Sequence, residues 1–236
     1  MRKTFIIILF SIVGFSSSAQ KEIILNYQEV DYKKIHFGFT VGFNTMDFKL
    51  TPTMNTFGTD SAVLIPEINK LVPGFHVAVV SSLKINDYFD LRFLPGISLG
   101  QRNILFYDKN NEVESEMKIE STFIDLPFII KYKATRINNT RPYLIGGLNI
   151  RRDMARNKEF NEDEGIYIKL NPLDIYYEIG FGFDFYMVYF KLSTEIKYSI
   201  GTLNVASSDA SDDFPQYANS IEKLNSRMFM ISFHFE

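Results

Sequence analysis

The chain has 236 residues, a formal net charge of −3 and many aromatic residues, with 23 phenylalanines and 13 tyrosines but no tryptophan or cysteine. This charge balance gives no support to a nucleic-acid partner, and the lack of cysteine excludes disulfides, thiolate nucleophiles and thiolate metal sites. The length fits one large β-domain or two small domains.

The N-terminus has the pattern of a secretory signal. A basic start is followed by an apolar run from Phe5 to Phe15 and by small residues that end at Ala19. This pattern predicts a signal peptide cleaved after Ala19, because the apolar run is shorter than the ~20 residues of a membrane-spanning helix. We therefore expect a signal peptide at 1–19, a periplasmic N-terminal arm at 20–33 and an outer-membrane barrel at 34–236.

From residue 36 onward, large apolar side chains recur at every second position, and helical spacing is scarce. A period of two is typical of β-strands whose two faces meet different surroundings. Eight segments follow this pattern, and each is near the ~9–11 residues of a tilted membrane strand. They are 36–44, 74–84, 88–102, 124–133, 142–150, 173–186, 188–200 and 227–235.

The connections between these segments alternate in length. Short connections at 85–87, 134–140 and 186–187 are separated by long polar ones at 45–72, 103–117, 153–171 and 201–225. Outer-membrane barrels have short periplasmic turns and long outer loops, whereas a soluble sandwich has no reason to sort loops in this way. The sequence therefore predicts an all-β fold, an eight-stranded antiparallel up-and-down transmembrane β-barrel. A soluble barrel or sandwich with its apolar face inward is the alternative.

The aromatic faces need an apolar environment, because hydrocarbon offers no hydrogen bonds and favours large apolar groups. We expect lipid to contact Phe37, Phe39, Phe43, Phe181, Phe183, Phe185, Phe190, Phe229, Phe233 and Phe235. The polar faces then line a narrow lumen, where glycines relieve crowding and opposite charges pair. The expected lumen charges are Arg92, Lys131, Glu178, Asp184, Lys191, Glu195 and Lys197. Side chains fill the interior of an eight-stranded barrel, so we expect a scaffold rather than a pore.

Four stretches also resemble one particular family. They are "HFGFTVGFNTMDF" (36–48), "PGFHVAVVSSLKINDYFDLRFLPGISLGQR" (73–102), "ESTFIDLPFIIKYKATRINNTRPYLIGGLNIRRDMA" (120–155) and the terminal "MISFHFE". In these stretches the chain resembles the PorT family of outer-membrane barrel proteins from the Bacteroidota. The resemblance implies a role in type IX protein secretion and gliding motility. It brings no catalytic residues with it.

Few residues in the sequence suggest a catalytic or metal-binding role. His36, His76 and His234 share the inward face, but we expect His76 near the outer end and the other two near the periplasmic end. That separation deprives a metal of its third ligand, so lumen packing is the preferred interpretation. Ser232 and His234 form the only Ser–His pairing on one face, which is a weak basis for catalysis. The sequence thus predicts no catalytic residue, no metal and no cofactor.

A partner surface is expected on the outer loops or the N-terminal arm, because the barrel faces are already committed to lipid and packing. The loop at 45–72 is the best candidate, since exposed apolar side chains commonly mark partner surfaces. Its apolar residues include Met46, Phe48, Met54, Phe57, Leu64 and Ile65. The alternative is that this loop extends a barrel hairpin or folds over the barrel mouth.

The favoured hypothesis is a non-catalytic, multi-pass outer-membrane barrel that serves as an accessory or assembly subunit of a protein secretion machine. Its partners would be outer-membrane lipid and other outer-membrane or periplasmic subunits, with the N-terminus in the periplasm. Two other hypotheses stay open. One is an outer-membrane barrel enzyme acting on lipid or peptide, and the other is a passive structural or small-solute barrel.

Overall fold

The computed structural model describes residues 24–53, 65–68, 71–107, 112–154, 168–207 and 215–236. The strands are β1 (Ile35–Pro52), β2 (Ile65–Glu67), β3 (Pro73–Lys84), β4 (Phe89–Phe93), β5 (Gly96–Tyr107), β6 (Val113–Lys133), β7 (Thr140–Asp153), β8 (Leu173–Tyr186), β9 (Lys191–Gly201) and β10 (Ile221–Phe235). The helices are α1 (Glu29–Tyr32) and α2 (Pro215–Asn219). No helix in these ranges is long and apolar enough to span a membrane.

The strands close into a ring. Its order is β1, β3, β4 with β5, β6, β7, β8, β9 and β10, and β1 pairs with both β3 and β10. All of these pairings are antiparallel, and each ring strand lies beside the next ring strand in the chain. The short strand β2 is not a member of the ring order and pairs with β5. The structure confirms the predicted eight-stranded antiparallel up-and-down barrel.

β4 and β5 are two halves of one barrel strand. Both pair with β3 on one side and with β6 on the other, in the same register. The ladder is interrupted between them because Pro95, and Pro127 opposite Leu94, have no backbone N–H to donate. The carbonyl groups of both prolines still accept hydrogen bonds, from Val79 and Leu94 respectively. The ring therefore keeps eight strand positions despite this break.

The two ends of the barrel differ. Connections at 85–88, 134–139 and 187–190 are short, and we call their side the short-turn end. At the opposite, long-loop end, the strands are longer than predicted, and the predicted loop boundaries there are wrong. β1 continues to Pro52, β5 continues to Tyr107, β6 begins at Val113, and β10 begins at Ile221. The strand predicted from residue 188 begins only at Lys191.

These strands extend because the alternation of apolar and polar side chains continues, but with the apolar side chains now inside the barrel and the polar ones outside. From Ile35 to Phe43, β1 exposes its apolar side chains, but further along it buries Met46 and Phe48 and exposes Lys49. β6 does the same, since Met117 and Ile119 are buried while Glu116 and Lys118 are exposed. Apolar side chains thus point into the barrel at the long-loop end, as they do in a soluble β-protein.

An apolar core fills the long-loop end of the interior. It comprises Phe48, Ile104, Phe106, Met117, Ile119, Ile168, Leu170, Val205, Tyr217, Ile221 and Leu224. The rings of Phe106 and Tyr217 meet edge to face, with centroids 4.9 Å apart. Fully burying one such side chain stabilises a fold by about 1.5–3 kcal/mol. This core explains why segments that look like polar loops continue as strands.

Candidate functional site

The outer face of the barrel is an apolar band. On β1 the outward side chains from Ile35 to Phe43 are all apolar, and Phe37 is 71% exposed. With a rise of ~3.3 Å per residue and a strand tilt of ~40°, the height from the first to the last Cα atom of this stretch is about 20 Å. The side chains at both ends add to this height, which brings it close to the ~25 Å apolar band of outer-membrane barrels.

The ten phenylalanines that we expect to contact lipid all lie outside the lumen. Phe37, Phe39, Phe43, Phe181, Phe183, Phe190 and Phe229 are exposed, and Phe185, Phe233 and Phe235 are half-buried against neighbouring side chains. Phe39 stacks on Phe235 with centroids 4.9 Å apart. Phe190 lies in a turn rather than in a strand, and its ring lies 6.1 Å from that of Phe235.

The seven expected lumen charges all lie inside the barrel. Arg92, Lys131, Glu178, Asp184, Lys191, Glu195 and Lys197 are each at most 6% exposed. Glycines on the same face make room for neighbouring side chains. A Cβ atom on Gly182 would lie 2.5 Å from the Tyr143 hydroxyl, so a larger residue there would displace that ring.

One group of charges, the mid-barrel network, joins four adjacent strands through Asp125, Arg151, Glu178 and Lys197. Arg151 Nε lies 2.5 Å from Asp125 Oδ1, and Arg151 Nη2 lies 2.8 Å from Glu178 Oε1. Lys197 Nζ lies 2.9 Å from Glu178 Oε2. Asn149 Nδ2 also donates to Glu178 at 2.9 Å. Charges of opposite sign therefore alternate around the wall, and each carboxylate meets at least one cation.

A second group, the short-turn network, is centred on Arg92. Its guanidinium lies 3.2 Å from Glu195 Oε2 and 3.0 Å from Glu236 Oε1. The other oxygen of Glu236 lies 2.8 Å from Lys191 Nζ. Lys131 pairs with Asp184 at 2.7 Å in the same region. Glu236 is therefore part of the lumen packing.

Arg102 lies between these networks and the apolar core. It lies 3.1 Å from Asp153 Oδ2 and donates to Ser226 Oγ at 3.2 Å. Its guanidinium carbon also lies 4.3 Å from the centre of the Phe48 ring, which is a cation–π distance. Paired charges and apolar side chains together fill the described interior, where the cavities beside Arg151 and Arg102 measure only about 20 Å³ and about 10 Å³. Such cavities hold roughly one water molecule each.

The described part of the predicted N-terminal arm, residues 24–33, covers the short-turn end together with Lys34. Asp31 holds it there, because its carboxylate lies 2.9 Å from Arg136 Nη1 and 3.3 Å from Arg141 Nη1. The Tyr186 hydroxyl donates to the same carboxylate at 3.1 Å. The Arg136 guanidinium also lies 3.7 Å from the centre of the Tyr186 ring. We call residues 24–34 the cap segment.

Further contacts fix the cap segment along its length. Arg136 Nη2 donates to Asn26 O at 2.6 Å, and Lys84 Nζ donates to Asp31 O at 2.7 Å. Lys84 also lies 2.8 Å from Asp87, and this hydrogen bond lowers the pKa of that exposed carboxyl. Within the segment the side chain of Val30 is buried, while those of Ile24, Leu25 and Tyr32 remain exposed.

Comparison with known proteins gives the family. A family model described as "Outer membrane protein beta-barrel domain" matches residues 17–206. The chain belongs to this family. It is an outer-membrane β-barrel protein, in agreement with the closed ring and the height of its apolar band. Curated proteins give no match to the sequence.

Solved structures of other outer-membrane barrels are distantly similar, each at 12% identity. Neisserial surface protein A (NspA) has a TM-score of 0.44, with 86% of this chain and 98% of that chain covered. OprG from Pseudomonas aeruginosa has a TM-score of 0.45, with coverage of 84% and 93%. Ail of Yersinia pestis, solved with the heparin analogue sucrose octasulfate, has a TM-score of 0.39, with coverage of 86% and 99%.

In this outer-membrane barrel the histidines are arranged differently from the prediction. Gly42 pairs with His76 on one side and with Ser232 on the other, so these two side chains meet over a residue without a side chain. His76 Nε2 and Ser232 Oγ are 3.0 Å apart. His234 instead lies 2.7 Å from Thr40 Oγ1, only two residues along β1 from the level of His76. The predicted separation of His76 from His234 is therefore wrong.

This arrangement does not form a catalytic triad or a metal site. Ser232 and His76 are buried, and His76 Nδ1 has no hydrogen-bond partner, so no carboxylate orients the ring. The predicted pairing of Ser232 with His234 is also wrong, because the ring closure brings β3 beside β1. Within the described ranges, no group of three His, Cys, Asp or Glu side chains is placed to hold a metal.

The candidate partner loop has a different structure from the one predicted for its first part. Met46 and Phe48 belong to β1 and are 1% and 3% exposed, so they cannot meet a partner. They point inward because the long-loop end of the barrel has an apolar interior. Ile65 is 49% exposed in β2. Met54, Phe57 and Leu64 lie outside the described residues.

Sequence reasoning named neither of two central lumen residues, Arg151 and Glu236, among its sites. Both continue an inward series that the sequence displays, since Arg151 follows Asn149 at a spacing of two and Glu236 follows His234. An alternation that continues to the ends of both strands predicts that these two side chains point inward. The role of Asp31 has no comparable signal, because its partners Arg136 and Arg141 lie more than 100 residues away.

Proposed function

We propose that this outer-membrane barrel is a non-catalytic accessory or assembly subunit of a protein secretion machine. The filled interior carries the proposal. Arg92, Arg102, Lys131, Arg151 and Lys197 all meet carboxylates inside the barrel, and the apolar core closes the long-loop end. A lumen in this state leaves no path for a protein cargo. If the protein serves secretion, it does so as a scaffold that contacts other subunits.

The machine itself is proposed from the resemblance to the PorT family in 36–48, 73–102 and 120–155, which points to type IX secretion and gliding motility. The proposed partners are outer-membrane lipid around the apolar band and other outer-membrane or periplasmic subunits. Cleavage after Ala19 and a periplasmic cap segment belong to the same proposal.

The cap segment is the favoured partner surface among the described residues. Asp31 attaches it to the barrel and Val30 is buried, while Ile24 and Tyr32 are 85% and 83% exposed. A segment that only closed the barrel would have no need to present large apolar groups on a fixed backbone. Met54, Phe57 and Leu64 of the outer loop remain a second proposed surface.

One contact favours an enzyme as a second candidate, namely the 3.0 Å approach of Ser232 to His76. Three features oppose it. Both side chains are buried, His76 Nδ1 lacks an orienting carboxylate, and the adjoining cavity of about 20 Å³ is too small for a lipid or peptide substrate. The scaffold is therefore the function that the geometry supports best.

The first test is deletion of the gene followed by measurement of secreted cargo, with restoration by the wild-type chain. We expect cargo to accumulate inside the deletion strain. Normal secretion in that strain would reject a role in the secretion machine. Restoration by a Ser232→Ala variant is expected as well, because the scaffold needs no nucleophile.

The second test addresses the partner surface. A double variant, Ile24→Ser with Tyr32→Ser, removes the exposed apolar groups without touching the contacts of Asp31. We expect normal insertion, seen as heat-modifiable gel mobility, with reduced secretion. The control is Tyr189→Ser, which removes an 87% exposed aromatic side chain from the short turn at 187–190. Full secretion with the double variant would place the partner surface elsewhere.

A further inference from the structure

The outer face of β6, β7 and β8 carries a groove near the short-turn end. Two adjoining depressions form it, of about 370 Å³ and about 530 Å³, and they share Pro142 and Phe183. The larger hollow is bordered by the turn at 137–140, and the smaller one by Tyr132, Leu144 and Phe181. The groove therefore runs from the apolar band to a polar turn.

Pro142 gives the groove its shape. At the end of β6, Ala134 N donates to Pro142 O at 3.0 Å, but proline has no N–H with which to return the bond. The ladder between β6 and β7 ends at this point, since β6 ends at Lys133. The short proline ring also leaves a notch opposite the larger Phe183, its partner on β8. A proline within a strand removes one hydrogen bond of the ladder, so most strand positions do not carry it. The notch at Pro142 is therefore particular to this place on the barrel.

The two parts of the groove differ in chemistry. Its membrane part is lined by aromatic rings and Leu144, and these offer contact to a hydrocarbon chain. At the turn, the side chains of Asn138 and Thr140 make no hydrogen bond within the described part of the chain, although Asn138 is held at a positive φ of 54°. One end thus fits a hydrocarbon chain, and the other offers free donors and acceptors.

We infer that this groove binds one membrane phospholipid, with an acyl chain along Pro142 and Phe183 and with its glycerol esters or headgroup at Asn138 and Thr140. The barrel lies in the outer membrane and the short-turn end carries the periplasmic turns, so the ligand comes from the periplasmic leaflet. Ordinary annular lipid would contact every strand equally, whereas this lipid occupies one defined place. The inference does not depend on a role in secretion.

Native mass spectrometry of the detergent-purified protein tests the inference, with phosphatidylethanolamine as the added probe. We expect the wild-type chain to retain one phospholipid through detergent exchange. A Pro142→Phe variant fills the notch and should lose it. The matched control is Leu148→Phe on the same face of β7, which enlarges an exposed side chain outside the groove and should retain the lipid.

Ala134→Leu narrows the same groove and keeps the proline, so the test stands even where Pro142→Phe prevents folding. At the polar end, Thr140→Val should lower retention by about fivefold, as expected for one lost hydrogen bond. Retention of no lipid by the wild-type chain overturns the inference. Equal retention of lipid by the wild-type, Pro142→Phe and Ala134→Leu chains overturns it as well. So does a Pro142→Phe variant that changes its oligomeric state but retains the lipid.

Discussion

Neutralising Glu178 tests whether the lumen is a dry, ion-paired interior. This carboxylate is 1% exposed and meets Arg151 at 2.8 Å and Lys197 at 2.9 Å. In Glu178→Gln the amide oxygen still accepts hydrogen bonds from Arg151 and Asn149. Lys197, however, loses its only ion-pair partner within the described residues, while Arg151 keeps Asp125. The perturbation therefore isolates one buried, unpaired ammonium group.

The expected loss in the free energy of unfolding follows from the one ion pair that is lost and the contacts that are kept. Breaking a buried ion pair by removing one partner costs ~3–5 kcal/mol, and the retained hydrogen bonds place Glu178→Gln near the lower limit, at about 3 kcal/mol. A urea m-value of ~1–3 kcal/mol per molar converts this loss into a midpoint shift of roughly 1–3 M. Because the chain has no tryptophan, unfolding in detergent micelles is followed by far-ultraviolet circular dichroism.

A double-mutant cycle separates the missing charge from other effects. Replacing both partners, in Glu178→Gln with Lys197→Met, removes the stranded ammonium and should recover most of the lost free energy of unfolding. Glu120→Gln serves as the matched control, since Glu120 is exposed on the outer face of β6 and its loss should change stability by less than ~0.5 kcal/mol. If Glu178→Gln unfolds like the control, the lumen is hydrated and the filled-interior argument fails.

Three further predictions use other parts of the barrel. Phe181→Arg, on the outer face, should cost ~2–4 kcal/mol of stability, and Phe185→Arg nearer the turn only ~0–1 kcal/mol; equal costs in urea unfolding would contradict the placement of the band. Purified protein in planar bilayers should show no stable channel, and a reproducible large conductance would refute the closed interior. Asp31→Asn should loosen the cap segment by about 1 kcal/mol and raise tryptic cleavage at Lys33 and Lys34 about fivefold. Glu29→Gln, which removes a charge without a described ion pair, should leave that cleavage rate unchanged.

The alternation of apolar and polar side chains in the sequence determines which face of each strand points outward and which points into the lumen. Phe37, Phe39 and Phe43 alternate with small residues, and this pattern already separates an outward face from an inward one. Seven charges could be assigned to the lumen for the same reason. The period of two is a local property of an extended chain, and hydrocarbon forbids charges on one face. Local geometry and solvent together made these predictions accessible without a structure.

Only the tertiary structure shows at which height the apolar side chains change from the outer face of the barrel to its interior. Met46 and Phe48 lie three and five residues after Phe43, so the alternation places them on the opposite, inward face, and they are buried there because the strands rise beyond the apolar band and enclose a core. The sequence shows the period, but it does not show that the strand continues past Asn44 or that apolar side chains fill the interior at that height. For this reason a polar outer loop was predicted where β1 continues.

Contacts between distant residues were also beyond the sequence. Ser232 meets His76 rather than His234, because closure of the ring places β3 and β10 on the two sides of Gly42. Asp31 meets Arg136 and Arg141 because the chain before β1 folds back across the short-turn end. Composition determines that many charges must pair within the barrel. Strand register and ring closure determine which charges do, because only they set which side chains lie at the same height.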